Sequence, residues 1–170
     1  MPFTPLHLGP AAVLKALLGR HFSFMVFGGT QVLMDIEPLV RIVRGDSVLH
    51  GTTHTFAGAT AIALLACAIG RPISHFALRW WNSRLAAGSR WRAMRMPIAW
   101  HAVVIGAFVG AWSHVVLDGF MHDDLQPFAP WRSDNPWLHA ISVDALHLIC
   151  FATAAVGGIA CVLLLRFHRT

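Results

Sequence analysis

The stretch from Pro97 to Met121, "PIAWHAVVIGAFVGAWSHVVLDGFM", is apolar enough to cross a bilayer, yet it carries His114 and Asp118 four residues apart. Residues at that spacing share one face of a helix. A helix facing hydrocarbon cannot hold such groups without partners, so the fold must bring other polar side chains to meet them. That requirement constrains the chain more than any other feature.

Composition agrees with a membrane setting. Of 170 residues, 56% are hydrophobic and 12% charged, against about a quarter charged in soluble domains. The N-terminus, "MPFTPLHLGPAAVLKALLGR", lacks a basic start and a small-residue cleavage site, and does not read as a signal peptide. Cys67, Cys150 and Cys161 lie in apolar stretches without metal-type spacing and read as packing residues. No repeat or domain boundary is visible, so residues 1–170 read as a single membrane domain.

Hydrophobic patterning predicts an all-α integral membrane bundle of about five helices, four spanning and one an N-terminal half-helix. The segments are 8–20 (too short to span), 22–44, 52–70, 97–121 and 140–165. Thr52 or Thr53 is the expected N-cap of the third, and Pro97 suits the first turn of the fourth. Residues 71–96 form an amphipathic connector rich in Arg and Trp, suited to a lipid interface. Placing it in the cytoplasm puts Lys15, Arg20, its six arginines, Arg166 and Arg169 inside, ten of the thirteen basic residues. All eight acidic residues then fall in the outer half, with Arg41 and Arg44 as exceptions to the basic-inside pattern. This distribution explains the net charge of +5 without a nucleic-acid partner. The tryptophans mostly mark segment ends, as an aromatic belt does, and Gly106 and Gly110 read as a packing face.

At about 1.5 Å per residue, His7 stands about 20 Å above Arg20, and Asp35 about 21 Å above His21. His54 above Arg71 and His114 above Pro97 both come to about 25 Å, and His147 above Arg166 to about 28 Å. The polar groups therefore meet in one layer of the outer leaflet. His50 and His54 repeat the four-residue spacing of His114 and Asp118. His7, Asp35, His50, His54, His114 and Asp118 are the candidate ligands of one or two divalent ions, zinc foremost. His101 and His147 read instead as helix–helix hydrogen-bonding residues. His122, Asp123 and Asp124 read equally as a solvated helix end or as the rim of the site.

At these residues the chain resembles a bacterial family of membrane-bound, metal-dependent hydrolases, also described as LexA-binding and inner-membrane-associated. The matching pieces are "PFTPLHLGP", "QVLMDIEPL", "HGTTHTFAGA" and "SHVVLDGFMHDDLQPFAPW", spanning residues 2–131 with the connector unmatched. The resemblance implies a multi-pass protein of the bacterial inner membrane with a His/Asp metal site on the six residues named. The ligand types are also similar to those of zinc-dependent phospholipase C. Relatives often carry a basic residue after the first histidine of the HxxxH piece, where this chain has Gly51.

The leading expectation is metal-dependent hydrolysis of a lipid or lipid-linked ester or phosphoester, with membrane lipids as the surrounding partners. Glu37 or Asp123 is the candidate general base, and Arg132 a candidate phosphate contact. The alternatives are a non-catalytic protein whose His/Asp site holds the helices together, and an ion relay. A structural site would be closed, whereas a catalytic one keeps a position for water.

Overall fold

The computed structural model describes residues 4–89, 92 and 97–167. Arg90, Trp91 and Arg95 of the connector, Pro2 and Phe3 of the first matching piece, and Arg169 lie outside the described residues. Among the described residues the chain is helical and contains no strand. A 3-10 turn, Thr4–His7, leads into α1 (Leu8–Leu18). There follow α2 (Phe24–Met34), α3 (Ile36–Arg44), α4 (Phe56–Ser83), α5 (Trp100–Gly119) and α6 (Val143–Phe167). The predicted all-α bundle is present.

Among the described residues three helices, α4, α5 and α6, are long and apolar enough to cross a membrane, where the sequence predicted four. The segment read as one helix over 22–44 is divided at Asp35. Pro38 explains the break: it has no N–H to offer the Met34 carbonyl four residues back, and its ring would clash there. Placed in the first turn of α3, the proline is tolerated. The 11 residues of α2 then extend only about 16 Å, roughly half a bilayer core.

The third segment deviates in the other direction. Instead of ending at Gly70, α4 continues through Pro72 to Ser83, a length of about 42 Å for its 28 residues. Much of the presumed connector is thus the C-terminal extension of α4. Its N-cap is Thr55, whose hydroxyl accepts from the Gly58 N–H at 2.9 Å, and Thr52–His54 forms a separate 3-10 turn. Likewise α5 begins after Pro97, at Trp100, with Ala99 as its N-cap.

Small side chains let α2, α4 and α5 approach closely. Their shared core contains Ala59, Ala63 and Ala66 of α4 against Ala107, Ala111 and Val115 of α5, with Val26 and Met34 of α2. Gly106 is a required close approach: a Cβ there would lie 2.6 Å from the Ser23 carbonyl oxygen. Gly110 faces Phe27 and Thr30 in the same way, so this pair is the packing face the sequence suggested. Helix α6 packs mainly on α1, where the Cys161 thiol meets the Ala12 carbonyl oxygen. Its opposite face, with Leu148, Phe151, Val156, Ile159 and Val162, is exposed and apolar as a lipid-facing surface must be.

The helices alternate in direction, so α1, α4 and α6 begin at the end of the bundle where α2 and α5 finish. A loop over residues 120–142 closes that end. The Pro127 carbonyl accepts the Phe56 N–H at 2.9 Å, and Leu125 is buried in the core. Around the same junction Phe56 packs edge to face with Trp112 and Trp137, Trp137 does so with Phe128, and Phe128 lies tilted against Phe56. At the opposite end, His101 and His21 join α5 to the entry of α2 through ring nitrogens 2.9 Å apart. This pair is the inter-helical contact expected of His101.

Candidate metal centre

Four chain segments deliver polar groups to the closed end. The 3-10 turn before α1 supplies His7, and the break between α2 and α3 supplies Asp35. The turn before α4 supplies His50 and His54, and the last two turns of α5 supply His114 and Asp118. The ligand atoms of His7, His114 and Asp118 lie within 4.8 Å of one another. The same holds for Asp35, His54 and His114, and for His50, His54 and Asp118. These overlapping groups unite all six predicted ligands in one polar centre. Each group is positioned to hold a metal ion.

The second nitrogen of three imidazoles fixes what the first can do. His114 Nδ1 lies 2.6 Å from the Gln31 side-chain oxygen, while the Gln31 amide nitrogen donates to the Gly110 carbonyl at 2.9 Å. That orientation makes Gln31 an acceptor towards His114, so the ring proton sits on Nδ1 and Nε2 is bare. His50 Nδ1 lies 2.7 Å from Asp124, giving the same tautomer. His54 Nδ1 lies 3.1 Å from the Thr53 hydroxyl, which in turn donates to Glu37. Three Nε2 lone pairs are therefore available to the centre, the arrangement that outer partners impose on metal-binding histidines.

Those lone pairs face carboxylates. His114 Nε2 is 3.1 Å from Asp118 Oδ2 and 3.4 Å from Asp35 Oδ1. His54 Nε2 is 3.5 Å from Asp118 Oδ2, and His7 Nε2 is 3.4 Å from Asp118 Oδ1. Yet the Nε2 atoms of His54 and His114 are buried without hydrogen-bond geometry to any partner, as is His7 Nδ1. Acceptors opposed in this way repel unless a cation lies between them. Nitrogen and oxygen ligands about 2.0–2.2 Å from a tetrahedral zinc are about 3.3–3.6 Å apart, close to the spacings found here. The donor set and its orphaned nitrogens fit a divalent ion.

Burial keeps two of the rings uncharged. His7 and His54 are held below the ordinary histidine range by desolvation, which outweighs the attraction of Asp118, so both rings are neutral. Burial alone would raise the Asp124 carboxyl. The His50 and Leu49 N–H groups and the His50 ring instead bring it down to about 2. Of the six ligands, Asp35 alone has a side chain as much as 34% exposed; His54 and His114 are fully enclosed. The centre therefore opens past Asp35.

Neither candidate base belongs to these ligand groups. Glu37 accepts from the Thr53 N–H and hydroxyl and from Arg41, contacts that outweigh its partial burial and keep it ionised. It orients His54 through Thr53. Asp123 is exposed on the loop, and it is the next residue, Asp124, that turns inward to His50. Gln31, Thr53 and Asp124 are the residues that sequence reading missed as partners of the ligands. Gln31 could have been found four residues before Asp35, and Thr53 beside His54. Asp124 carried no signal to separate it from Asp123.

Two further expectations can be placed. Arg132 is exposed and paired with Asp134 at 2.6 Å, outside the ligand groups. At Gly51 a Cβ would collide with the Glu37 carboxylate and the Arg41 guanidinium. Arg41, donating also to the Val48 carbonyl, thus takes the space of a side chain at 51. His122 stacks on His50 with ring centroids 4.1 Å apart, and with Asp124 the pair forms a fourth potential ligand group. His122 therefore lies at the rim. Comparison of the chain with protein-family models, curated proteins and solved structures finds no match.

Proposed function

We propose that this chain is a membrane-embedded, metal-dependent hydrolase, with zinc the ion best suited to its donors, acting on a lipid or lipid-linked phosphoester. One observation carries the reading: three histidines are locked with Nε2 bare around Asp118, and Asp35 leaves one side of the centre open. The resemblance to the membrane-bound hydrolase family supports it. The same resemblance and the charge asymmetry support a bacterial inner membrane, with the basic end cytoplasmic and the centre in the outer leaflet.

His54, His114, Asp35 and Asp118 would hold the first ion, with His7 and His50 completing the set or serving a second ion. A bound divalent ion supplies a water whose pKa falls to about 7. The chain's own contributions are positional. Gln31, Thr53 with Glu37, and Asp124 hold the imidazoles in one tautomer. The buried helices exclude bulk water from His54 and His114, and Asp35 leaves room for a reacting group to approach.

A structural metal site is the competing reading, favoured by the complete enclosure of His54 and His114. It predicts a saturated coordination sphere and no turnover. The deciding experiment measures bound metal in purified protein and then assays amphiphilic esters and phosphoesters beside short-chain soluble analogues. Metal-dependent cleavage favouring the amphiphiles supports the hydrolase. A full metal complement with no cleavage of any substrate refutes it in favour of the structural site.

A further inference from the structure

The end of the bundle opposite the metal centre has charge and no counter-charge. The sequence has no Asp or Glu before Asp35, none between Asp46 and Asp118, and none after Asp144. Arg71, Arg79 and Arg84 all lie in or beside the C-terminal extension of α4. Among the described residues, none of the three pairs with a carboxylate.

Arg71 is the most constrained of them. Its guanidinium carbon lies 4.9 Å from the centre of the Trp100 ring, bridging α4 to the start of α5. Its Nε is buried and has no hydrogen-bond partner. At about 1.5 Å per residue, Arg71 lies about 25 Å along the chain axis from His54, and Trp100 about 21 Å from His114. In a hydrocarbon core about 30 Å thick, a centre near one interface puts this pair near the other. Arg71 as a whole is only half-buried, and a guanidinium with an aromatic ring on one face can offer its terminal N–H groups to an oxyanion. Exposed Arg79, eight residues or about 12 Å further along α4, adds positive charge on the same helix.

We propose that Arg71 and Trp100 form a binding site for the phosphodiester of an acidic phospholipid, with Arg79 reinforcing the selectivity. The ring and the exposed apolar residues Ile73 and Phe76 would lie beside acyl chain, and the guanidinium edge would take the phosphate. This site stands independently of what the metal centre does.

Native mass spectrometry of the full-length protein, released from detergent after titration with single lipids, tests it. Phosphatidylglycerol adducts should form at concentrations at least fivefold below those needed for phosphatidylcholine. Arg71→Gln, which keeps a polar side chain but removes the guanidinium and its charge, and Trp100→Leu should each weaken phosphatidylglycerol binding at least threefold. Arg132→Ala, at the other end, should leave it unchanged. Circular dichroism and metal content equal to the parent's verify that each variant is folded. If Arg71→Gln misfolds, the parent is instead titrated in about 0.5 M salt, which screens charges beyond a few ångströms, and the preference should shrink. Equal binding of the two lipids, or an undiminished preference in folded Arg71→Gln, overturns the proposal. Displacement of phosphatidylglycerol by equimolar inorganic phosphate also overturns it, because the ligand would then be a soluble anion.

Discussion

Gln31 offers the sharpest test of how the centre is organised. It is fully buried, contributes no charge and would bind no metal itself. Its side-chain oxygen accepts from His114 Nδ1 at 2.6 Å, and its amide nitrogen donates to the Gly110 carbonyl at 2.9 Å. Replacement with Met keeps the volume and removes both contacts. The Gly110 carbonyl keeps the Ser113 hydroxyl as a donor at 3.2 Å, so its loss is small. His114 Nδ1–H, in contrast, is left unpaired in a dry interior, at a cost of about 1–3 kcal/mol. The ring can escape that cost by moving its proton to Nε2, where Asp118 and Asp35 would accept it. A proton there occupies the lone pair the ion needs, and loss of such an outer partner weakens metal binding about 10–100-fold.

Gln31→Met should therefore lose about 1–3 kcal/mol of stability and about 10–100-fold in zinc affinity, read by chelator competition in detergent. Imidazole nitrogen NMR of metal-free protein should report His114 moving from the Nδ1–H to the Nε2–H form. Ser113→Ala is the control: its hydroxyl is 3.5 Å from the Gln31 nitrogen, too long to orient the amide, and zinc affinity should change no more than about twofold. A Gln31→Met protein with parental zinc affinity and an unchanged His114 tautomer would falsify the proposed orientation.

The other expectations follow from neighbouring contacts. Thr53→Val removes the hydroxyl between His54 and Glu37 without changing shape, and should weaken zinc binding about tenfold in the same competition assay. Asp124→Asn should weaken it at least as much, whereas Asp123→Asn, altering an exposed side chain, should have no measurable effect. Asp124 also makes a pH prediction. With its folded pKa near 2 and an ordinary value of 3.8, the stabilisation it gives is complete above about pH 4 and is lost as pH falls through about 2. Acid unfolding curves of metal-free parent and Asp124→Asn should converge across that window, and parallel curves would remove Asp124 from the account. Gly106→Val should lower thermal stability by about 1–3 kcal/mol, because the new side chain meets the Ser23 backbone rather than a movable side chain.

The ligands were legible because helical spacing and depth are properties of sequence. His114 and Asp118 declare a shared face of α5, and counting residues from the basic ends put His7 and Asp35 at the same height; His50 and His54 instead precede α4, so their four-residue spacing is not a helix face. The course of the backbone was less legible. Pro38 sits one turn past Asp35 in a run apolar enough to read as one helix, and only its clash with the Met34 carbonyl divides that run. Arg41 and Arg44 were misfits while the segment was taken to span. On a short α3, Arg41 has its own carboxylate in Glu37 at 2.9 Å. The third segment erred in the opposite sense: read as ending at residue 70, it continues as α4 through Pro72 to Ser83. The orienting partners of the histidines depend on tertiary contacts such as Gln31 with His114, 83 residues apart, which no local pattern announces.

The break at Asp35 also bears on how a substrate would arrive. A continuous helix would present the Asp35 side chain within a regular packed face; the break leaves it 34% exposed while its oxygen stays 3.4 Å from fully enclosed His114. Val32 lies one turn before it and Leu39 one turn after, with Ile36 adjacent and Val43 beyond. All four are exposed, Val43 to 80%, and they form an apolar stripe running past the carboxylate across the break. Such a stripe would be costly against water and is natural against acyl chains. The open side of the centre is therefore bordered by a surface that lipid wets and water does not. A molecule with an apolar tail can lie along that stripe with its head group at Asp35, whereas a soluble polymer would have to displace lipid to reach the same point. The asymmetry follows from Pro38, which creates both the exposed ligand and the short helix beside it.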